Sequence, residues 1–290
     1  MTHAALLPDH DPYAPVTWPL AHGRQLELGP RGIIMAVINV TPDSFSDGGR
    51  LASVAAAEHY ALACLAEGAH ILDVGGESTK PDAAEVSAAE EQDRVLPVIE
   101  ALARITDALI SVDTYRAETA RLALAAGAHI VNDVHGLQRE PAIAEVAAQA
   151  RAGVVIMHTG RQREVLADPL ADQFAFFDAS LRIADAAGLS RAQLVLDPGF
   201  GFAKDPDCNL ALMARLPQLQ RYRLPILVGT SRKRFLGALT GRELGERDVA
   251  TAISTSLLRD RGAAIARVHD VGKSRDALAL TDALLRSERG

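Results

Sequence analysis

Cysteine is nearly absent. Cys64 and Cys208 are the only two in 290 residues, and they sit too far apart for a metal or redox motif. That leaves out a disulfide scaffold and a thiolate zinc site, and points to a reducing compartment, the cytoplasm. Long apolar runs are missing too. No stretch reaches the roughly 18 apolar residues that a membrane-spanning helix needs. The first residues carry His3, Asp9 and prolines where a signal peptide has a basic, then apolar, run. Residues 1–16 are therefore expected to form a loosely ordered tail. Positive charge is in deficit, with 30 Lys and Arg against 37 Asp and Glu, a net charge of −7. That excludes a general nucleic-acid binder and a membrane-surface protein, so any anionic ligand must be met by a local cation cluster. Finally, no Ser-His-Asp spacing, H-E-x-x-H, G-x-G-x-x-G or P-loop pattern occurs. The chain offers no obvious nucleophile.

What is present is a repeating unit: a short apolar run, a polar residue at its end, a loop, then an Ala-rich helix. Eight strands are expected, at Ile33–Ile38, His70–Val74, Leu109–Asp113, His129–Asp133, Val154–His158, Leu194–Asp197, Ile226–Gly229 and Ala264–His269. Helices between them keep a 3.6-residue period. Ser53 is placed to cap the first, with Val54, Ala57, Ala61, Cys64 and Leu65 on one face. Asp248–Arg259 puts Val249, Ile253, Ser256 and Leu257 on its apolar face. Gly68 and Gly127 stand at helix C-caps. Ahead of these units, residues 17–30 read as a β-hairpin turning at His22-Gly23. The prediction is a TIM (β/α)8 barrel over residues 17–290, α/β in class, with a doubly wound open sheet as the rival.

A barrel collects chemistry at the C-terminal ends of its strands, and polar residues gather there: Asn39, Asp73, Asp113, Asn132, Asp133, His158, Asp197, Ser231 and His269. The stretch from Leu194 to Lys204, LVLDPGFGFAK, anchors this reading. Asp197 ends a buried strand, where a carboxylate needs a partner or ligand. Gly199 and Gly201 permit close approach, and Phe200 and Phe202 offer aromatic faces. Asp113, Asn132 and Asp197 make a rim of acceptors suited to a planar ring bearing amino and N–H donors. Asp133 has a plainer reading, as the cap of the following helix. Ser231-Arg232-Lys233 and Arg267-Val268-His269 bring cations to neighbouring strand ends, as a phosphate or carboxylate requires. Arg234 is read as a solvated surface residue. His70 and His129 begin strands at the far face, where structural roles are expected.

Seven segments then carry a family likeness: NVTPDSFSDGG at 39–49, DVGGEST at 73–79, SVDT at 111–114, GAHIVND at 127–133, LDPGFGFAK at 196–204, GTSRK at 229–233 and RVHDV at 267–271. In this order the chain resembles dihydropteroate synthase along nearly its whole length. The resemblance implies a homodimeric barrel enzyme that joins 6-hydroxymethyl-7,8-dihydropterin pyrophosphate to p-aminobenzoate with Mg²⁺. It further implies that Asp113, Asn132, Asp197 and Lys233 bind the pterin between Met157 and Phe202. Asn39 would be the Mg²⁺ ligand. Thr79, Lys80, Ser231, Arg267 and His269 would hold pyrophosphate or aminobenzoate, and Lys233, Arg267, His269 and Asp113 would serve catalysis. Three departures stand out: Lys80 where the family usually has arginine, Arg234 where a small hydroxyl is usual, and a fifth loop, His158 to Arg163, without the common M-H-M-x-G. Two other readings stay open, a pterin-binding paralogue without synthase activity and a corrinoid-linked methyltransferase.

Overall fold

A computed structural model describes residues 10–41, 49–77 and 85–289 of the chain. The short apolar runs, too brief for helices and rich in Val and Ile, form parallel strands. After the N-terminal hairpin strands β1 (Val16–Pro19) and β2 (Gln25–Leu28) come β3 (Ile33–Asn39), β4 (Ile71–Gly75), β5 (Leu109–Asp113), β6 (Ile130–Asp133), β7 (Gly153–Met157), β8 (Leu194–Asp197), β9 (Leu227–Val228) and β10 (Ile265–Val268). They pair in the order β8-β7-β6-β5-β4-β3-β10-β9. A further parallel bridge from Leu196 to Ile226 brings β8 against β9, so the sheet curls back on itself. This is the expected eight-stranded barrel, not the open sheet. Helices α1 (Gly49–Glu67), α2 (Ala88–Ile105), α3 (Ala117–Ala125), α4 (Ala142–Ala150), α5 (Pro169–Ala186), α6 (Pro206–Arg215), α7 (Arg234–Thr240), α8 (Asp248–Arg259) and α9 (Val271–Arg289) follow the strands.

Strand alternation sorts every side chain into one of two cores. Ile34, Ala36, Ile38, Leu72, Val74, Ile110, Val112, Val154 and Ile156 face the helices. Ile33, Met35, Ile71, Leu109, Ile130, Val155, Val195, Leu227 and Ile265 face the lumen. The hairpin closes the lower end of that lumen. Trp18, Leu20 and Leu28 pack into the same cluster, and Trp18 Nε1 donates to Gln193 O at 2.8 Å. Below it, Arg259 is almost wholly buried. It ties α8 to α9 and the hairpin, donating to Asp282 Oδ1 at 2.6 Å and to Gly29 O at 2.7 Å.

Several expectations are corrected. The tail expected over 1–16 is anchored from His10 onward: the Tyr13 hydroxyl donates to Asp260 O at 2.7 Å, Arg289 pairs with Asp11, and Val16 already belongs to β1. Residues 1–9 lie outside the described residues. Helix α1 runs from Gly49, so Ser53 is inside it and is not its cap. Helix α8 has the expected bounds, but its apolar stripe points outward. Val249 is 61% exposed, Ile253 56% and Leu257 46%, while Thr251, Ser254, Thr255 and Leu258 are buried. The barrel side of α8 meets the loop after β9 by hydroxyl contacts: Thr230 Oγ1 lies 2.7 Å from Ser254 Oγ, and Thr251 Oγ1 accepts from Arg232 N at 3.1 Å. Small polar side chains let the helix approach that loop, so the larger ones turn away.

Candidate active site

Two steps up from the lumen core, the inward positions become polar on β4, β5, β6, β8 and β10. Ile71 gives way to Asp73, Leu109 to Ser111 and Asp113, Ile130 to Asn132, Val195 to Asp197, and Ile265 to Arg267. The same alternation that buries isoleucines below thus aims carboxylates, an amide and a guanidinium into the mouth. Asp133, one step out of phase, faces the other way. It accepts from His135 N at 2.7 Å and Leu137 N at 2.6 Å, so it caps the turn that follows and not the helix expected of it, since α4 begins only at Ala142. His70 and His129 are structural: their Nδ1 atoms accept from Ile34 N and Ile110 N at 3.2 and 3.0 Å.

Arg267 organises the mouth. Its Nε donates to Asp73 Oδ2 at 2.6 Å and its Nη2 to Asp113 Oδ2 at 2.7 Å. Asn132 Nδ2 also donates to Asp73 Oδ2, at 3.1 Å, which leaves its amide oxygen as an acceptor for something else. Burial alone would lower the Arg267 guanidinium, but Asp73 and Asp113 hold it well above its ordinary value. Burial pushes Asp113 up to about 7 against the pull of Arg267, with Asp73 adding to the rise. Asp197 is likewise raised to about 6 by burial, despite the N–H of Gly199 donating to its Oδ1 at 2.7 Å. Burial and Arg267 lower Lys233 to about 8.

The loop after β8 supplies the wall. Gly199 and Gly201 have φ of 63° and 79°. A Cβ at Gly199 would collide with His158 O, and one at Gly201 would press on the Lys233 methylenes, so both positions need glycine. The two phenylalanines divide. Phe202 joins Met157, Tyr115 and Val134 in a small apolar cluster, with Lys233 Nζ 4.1 Å from its ring centre. Phe200, expected to face the pocket with it, turns into the helix layer against Phe235.

On the far side, Ser231 and His269 meet. The Ser231 hydroxyl accepts from His269 N at 3.1 Å and lies 2.9 Å from His269 Nδ1. With the hydroxyl hydrogen turned to Nδ1, the ring hydrogen would sit on Nε2. Burial and Arg267 lower His269 to about 3, so it is a neutral donor. Asn39 is exposed at the end of β3, on the strand face of Met35. Arg232 is committed to Asp248, at 2.7 Å from Nε, and Arg234 is exposed as expected. Thr79, Lys80 and most of the 39–49 loop lie outside the described residues.

The sequence reading missed three contributors. Asp73 was seen as a strand-end carboxylate but not as the anchor of Arg267; counting two residues on from Ile71 would have marked it as inward. Tyr115 sits between Arg116 and Arg139, 4.4 and 4.1 Å from its ring centre, and nothing local announces it. Arg161 lies over Phe202, although the two are far apart in the chain.

Comparison with known proteins points to one family. Residues 35–269 match the pterin binding enzyme family. The chain is 42% identical over 276 residues to the dihydropteroate synthase of a Synechocystis strain, covering 92% of this chain and 96% of that one. A Clostridium difficile dihydropteroate synthase structure obtained in the presence of pteroic acid superposes with a TM-score of 0.87 at 40% identity, over 90% of this chain and 99% of the other. A Xanthomonas albilineans dihydropteroate synthase structure with 4-aminobenzoic acid gives 0.86 at 43% identity, over 93% and 99%.

Proposed function

The chain belongs to the dihydropteroate synthase family of pterin-binding enzymes, and we infer that its barrel mouth performs that family's condensation. The enzyme is a transferase: it joins 6-hydroxymethyl-7,8-dihydropterin pyrophosphate to p-aminobenzoate, releasing pyrophosphate and 7,8-dihydropteroate. The observation that carries the reading is the acceptor rim of Asp113, Asn132 and Asp197, with Lys233 beside it and Arg267 bridging Asp73 to Asp113.

In this reading Asp197 and Asp113 accept from the pterin's amino and N–H groups, and the free amide oxygen of Asn132 accepts a third. Lys233 donates to the ring carbonyl, and Met157 and Phe202 bound its faces. The bond that breaks joins the pterin methylene to a pyrophosphate oxygen. The bond that forms joins that methylene to the arylamine nitrogen, which then loses a proton. Neither event needs a protein nucleophile, and the chain contributes positioning and charge. His269 donates Nε2–H to the departing anion, with Ser231 fixing the tautomer. Arg267, whose Nε and one Nη2 contact are taken by carboxylates, adds positive potential there.

Magnesium is compatible with these residues. Among the described residues no cluster of three His, Cys, Asp or Glu could hold a metal. Mg²⁺, however, commonly takes one or two protein oxygens, waters and substrate phosphates, and the Asn39 amide oxygen at the mouth is such a donor. When bound, the ion would neutralise charge on the leaving pyrophosphate.

The outward stripe of α8 supports a homodimer. Val249, Ile253 and Leu257, with Leu280 and Leu284 on the adjoining α9, are all exposed. A second copy of the chain would cover this face by two-fold pairing. No described helix is long and apolar enough to cross a membrane, and Cys64 and Cys208 are both free thiols, as in a cytoplasmic enzyme. The direct assay mixes the purified protein with pterin pyrophosphate, p-aminobenzoate and Mg²⁺ and follows pyrophosphate. Release that requires the arylamine is expected. A protein that binds pterin but releases none is the inactive paralogue instead.

A further inference from the structure

The loop after β8 is tightly curled, and a lysine folds back into the curl. Gly199, Gly201 and Ala203 take positive φ, at 63°, 79° and 50°, so every second residue turns the chain. The turns send two carbonyls to one side chain. Lys204 Nζ donates to Gly199 O at 2.8 Å and to Phe202 O at 3.3 Å, and Phe202 N reaches the same Gly199 O at 3.2 Å. Gly199 is thereby held at both ends, since its N–H is the one that donates to Asp197 Oδ1. Neutral amides brace the rest of the loop. Gln173 on α5 donates to Pro198 O at 2.9 Å. Asn209 on α6 accepts from Gly201 N at 2.8 Å and donates to Lys204 O at 3.0 Å.

Bracing a loop needs only such neutral donors, whereas sinking an ammonium among them is costly. The contacts of Lys204 are carbonyls rather than a carboxylate. Burial lowers it to about 7. Cys208 on α6, Asp197 on β8 and Asp172 on α5 resist that fall, and Arg163 on the fifth loop adds to it. His158, just past β7, is lowered to about 4 by burial and stays neutral beside it. Lys204 is also one of three cations that pull Asp197 down, with Lys233 and Arg267. The other two line the mouth, where substrate meets them. Lys204 is bonded to the loop's own backbone, so its charge acts on Asp197 whether or not substrate is present.

We propose that Lys204 is a positioning residue for the pterin, acting on Asp197 through Gly199 and through its own charge without touching the substrate. The proposal rests on the synthase reading. Lys204 keeps the Gly199 N–H on one carboxylate oxygen, which leaves the other for the ring. It also keeps that carboxylate ionised in a site whose burial favours the proton.

The test measures affinity for pterin pyrophosphate with Mg²⁺ by calorimetry in wild type, Lys204→Met and Lys204→Arg, at pH 6.5 and pH 8. At the lower pH Lys204 is mostly charged, and at the higher it is mostly neutral, with only its hydrogen bonds at stake. Lys204→Met is expected to lower affinity about tenfold at pH 6.5 and about threefold at pH 8. Lys204→Arg, which keeps charge and donors, should recover most of the loss. KM for p-aminobenzoate at saturating pterin should change by less than about twofold. In an Asp197→Asn background the loss at pH 6.5 should shrink to about threefold, because the carboxylate that Lys204 serves is gone. An equal loss at both pH values, an undiminished loss beside Asp197→Asn, or no loss at all overturns the proposal. Circular dichroism checks the fold of each variant. If Lys204→Met does not fold, Lys204→Gln, uncharged but still a donor, is read at the same two pH values, and an equal effect at both overturns the proposal as well. If wild type itself binds no pterin pyrophosphate, the synthase reading fails and the proposal falls with it.

Discussion

Asp197 shows how a single carboxylate is made useful by being made uncomfortable. It ends β8, is almost fully buried, and is relieved at one oxygen by the Gly199 N–H. Burial therefore raises it to about 6. With its folded value above the ordinary 3.8, the empty site binds a proton as pH falls through about 6, and that proton must leave before the carboxylate can accept from a ring N–H. Pterin affinity should thus fall below pH 6 and level off above pH 7, where Asp113, raised to about 7, has also ionised. Calorimetry from pH 5 to 8 checks this, and a flat profile would remove both carboxylates from the ring. Asp197→Asn sets a donor against a ring donor at a cost of about 1–3 kcal/mol. Pterin affinity should drop about tenfold or more at pH 7.5, and the part of its pH dependence centred near 6 should go while that of Asp113 near 7 remains.

At the scale of elements, the fifth loop and α5 act as one piece. His158 Nε2 lies 2.8 Å from Asp172 Oδ2, and Arg163 pairs with the same carboxylate. Burial works against the Asp172 anion, but the hydrogen bonds from His158 and Arg163 outweigh it and hold the group below its ordinary value. A depressed carboxylate stabilises the fold above its unfolded value near 3.8, and the contribution is lost as pH falls below that. Asp172→Asn should cost about 2 kcal/mol in urea unfolding at neutral pH, since it removes hydrogen bonds to a charged group. The difference from wild type should shrink below pH 4. A neutral-pH loss under 0.5 kcal/mol, on the scale of a surface change, would show that the clamp is incidental.

For the whole molecule, the unpaired face of α8 and α9 is the feature a monomer leaves unexplained. Leu280 is 75% exposed and Ile253 56%, and replacing Ile253 touches neither the barrel core nor the mouth. Sedimentation equilibrium of wild type is expected to give a dimer. Ile253→Glu should yield a folded monomer with an unchanged circular dichroism spectrum, because a charge at the centre of an apolar interface lacks a partner. A variant that remains dimeric would place the interface elsewhere.

The sequence by itself determined the barrel, because alternating βα units with short loops admit few other packings. It also determined the acceptor rim: Asp113, Asn132 and Asp197 each follow an apolar run in phase with the lumen, and strand alternation is a local property. The glycines after Asp197 were legible for the same reason, since positive φ is demanded by the turn they make. Tertiary structure decided what depends on distance between strands. Only the strand order, with β3 alone separating β10 from β4, lets Arg267 on β10 reach both Asp73 on β4 and Asp113 on β5, and only the meeting of two loops lays Arg161 over Phe202. Closure likewise decided which face of α8 points inward. Periodicity located an apolar stripe correctly, but the close approach of Thr230 to Ser254 reserved the inner face for small hydroxyls. A stripe that pattern alone assigns to the core was left for another surface to cover.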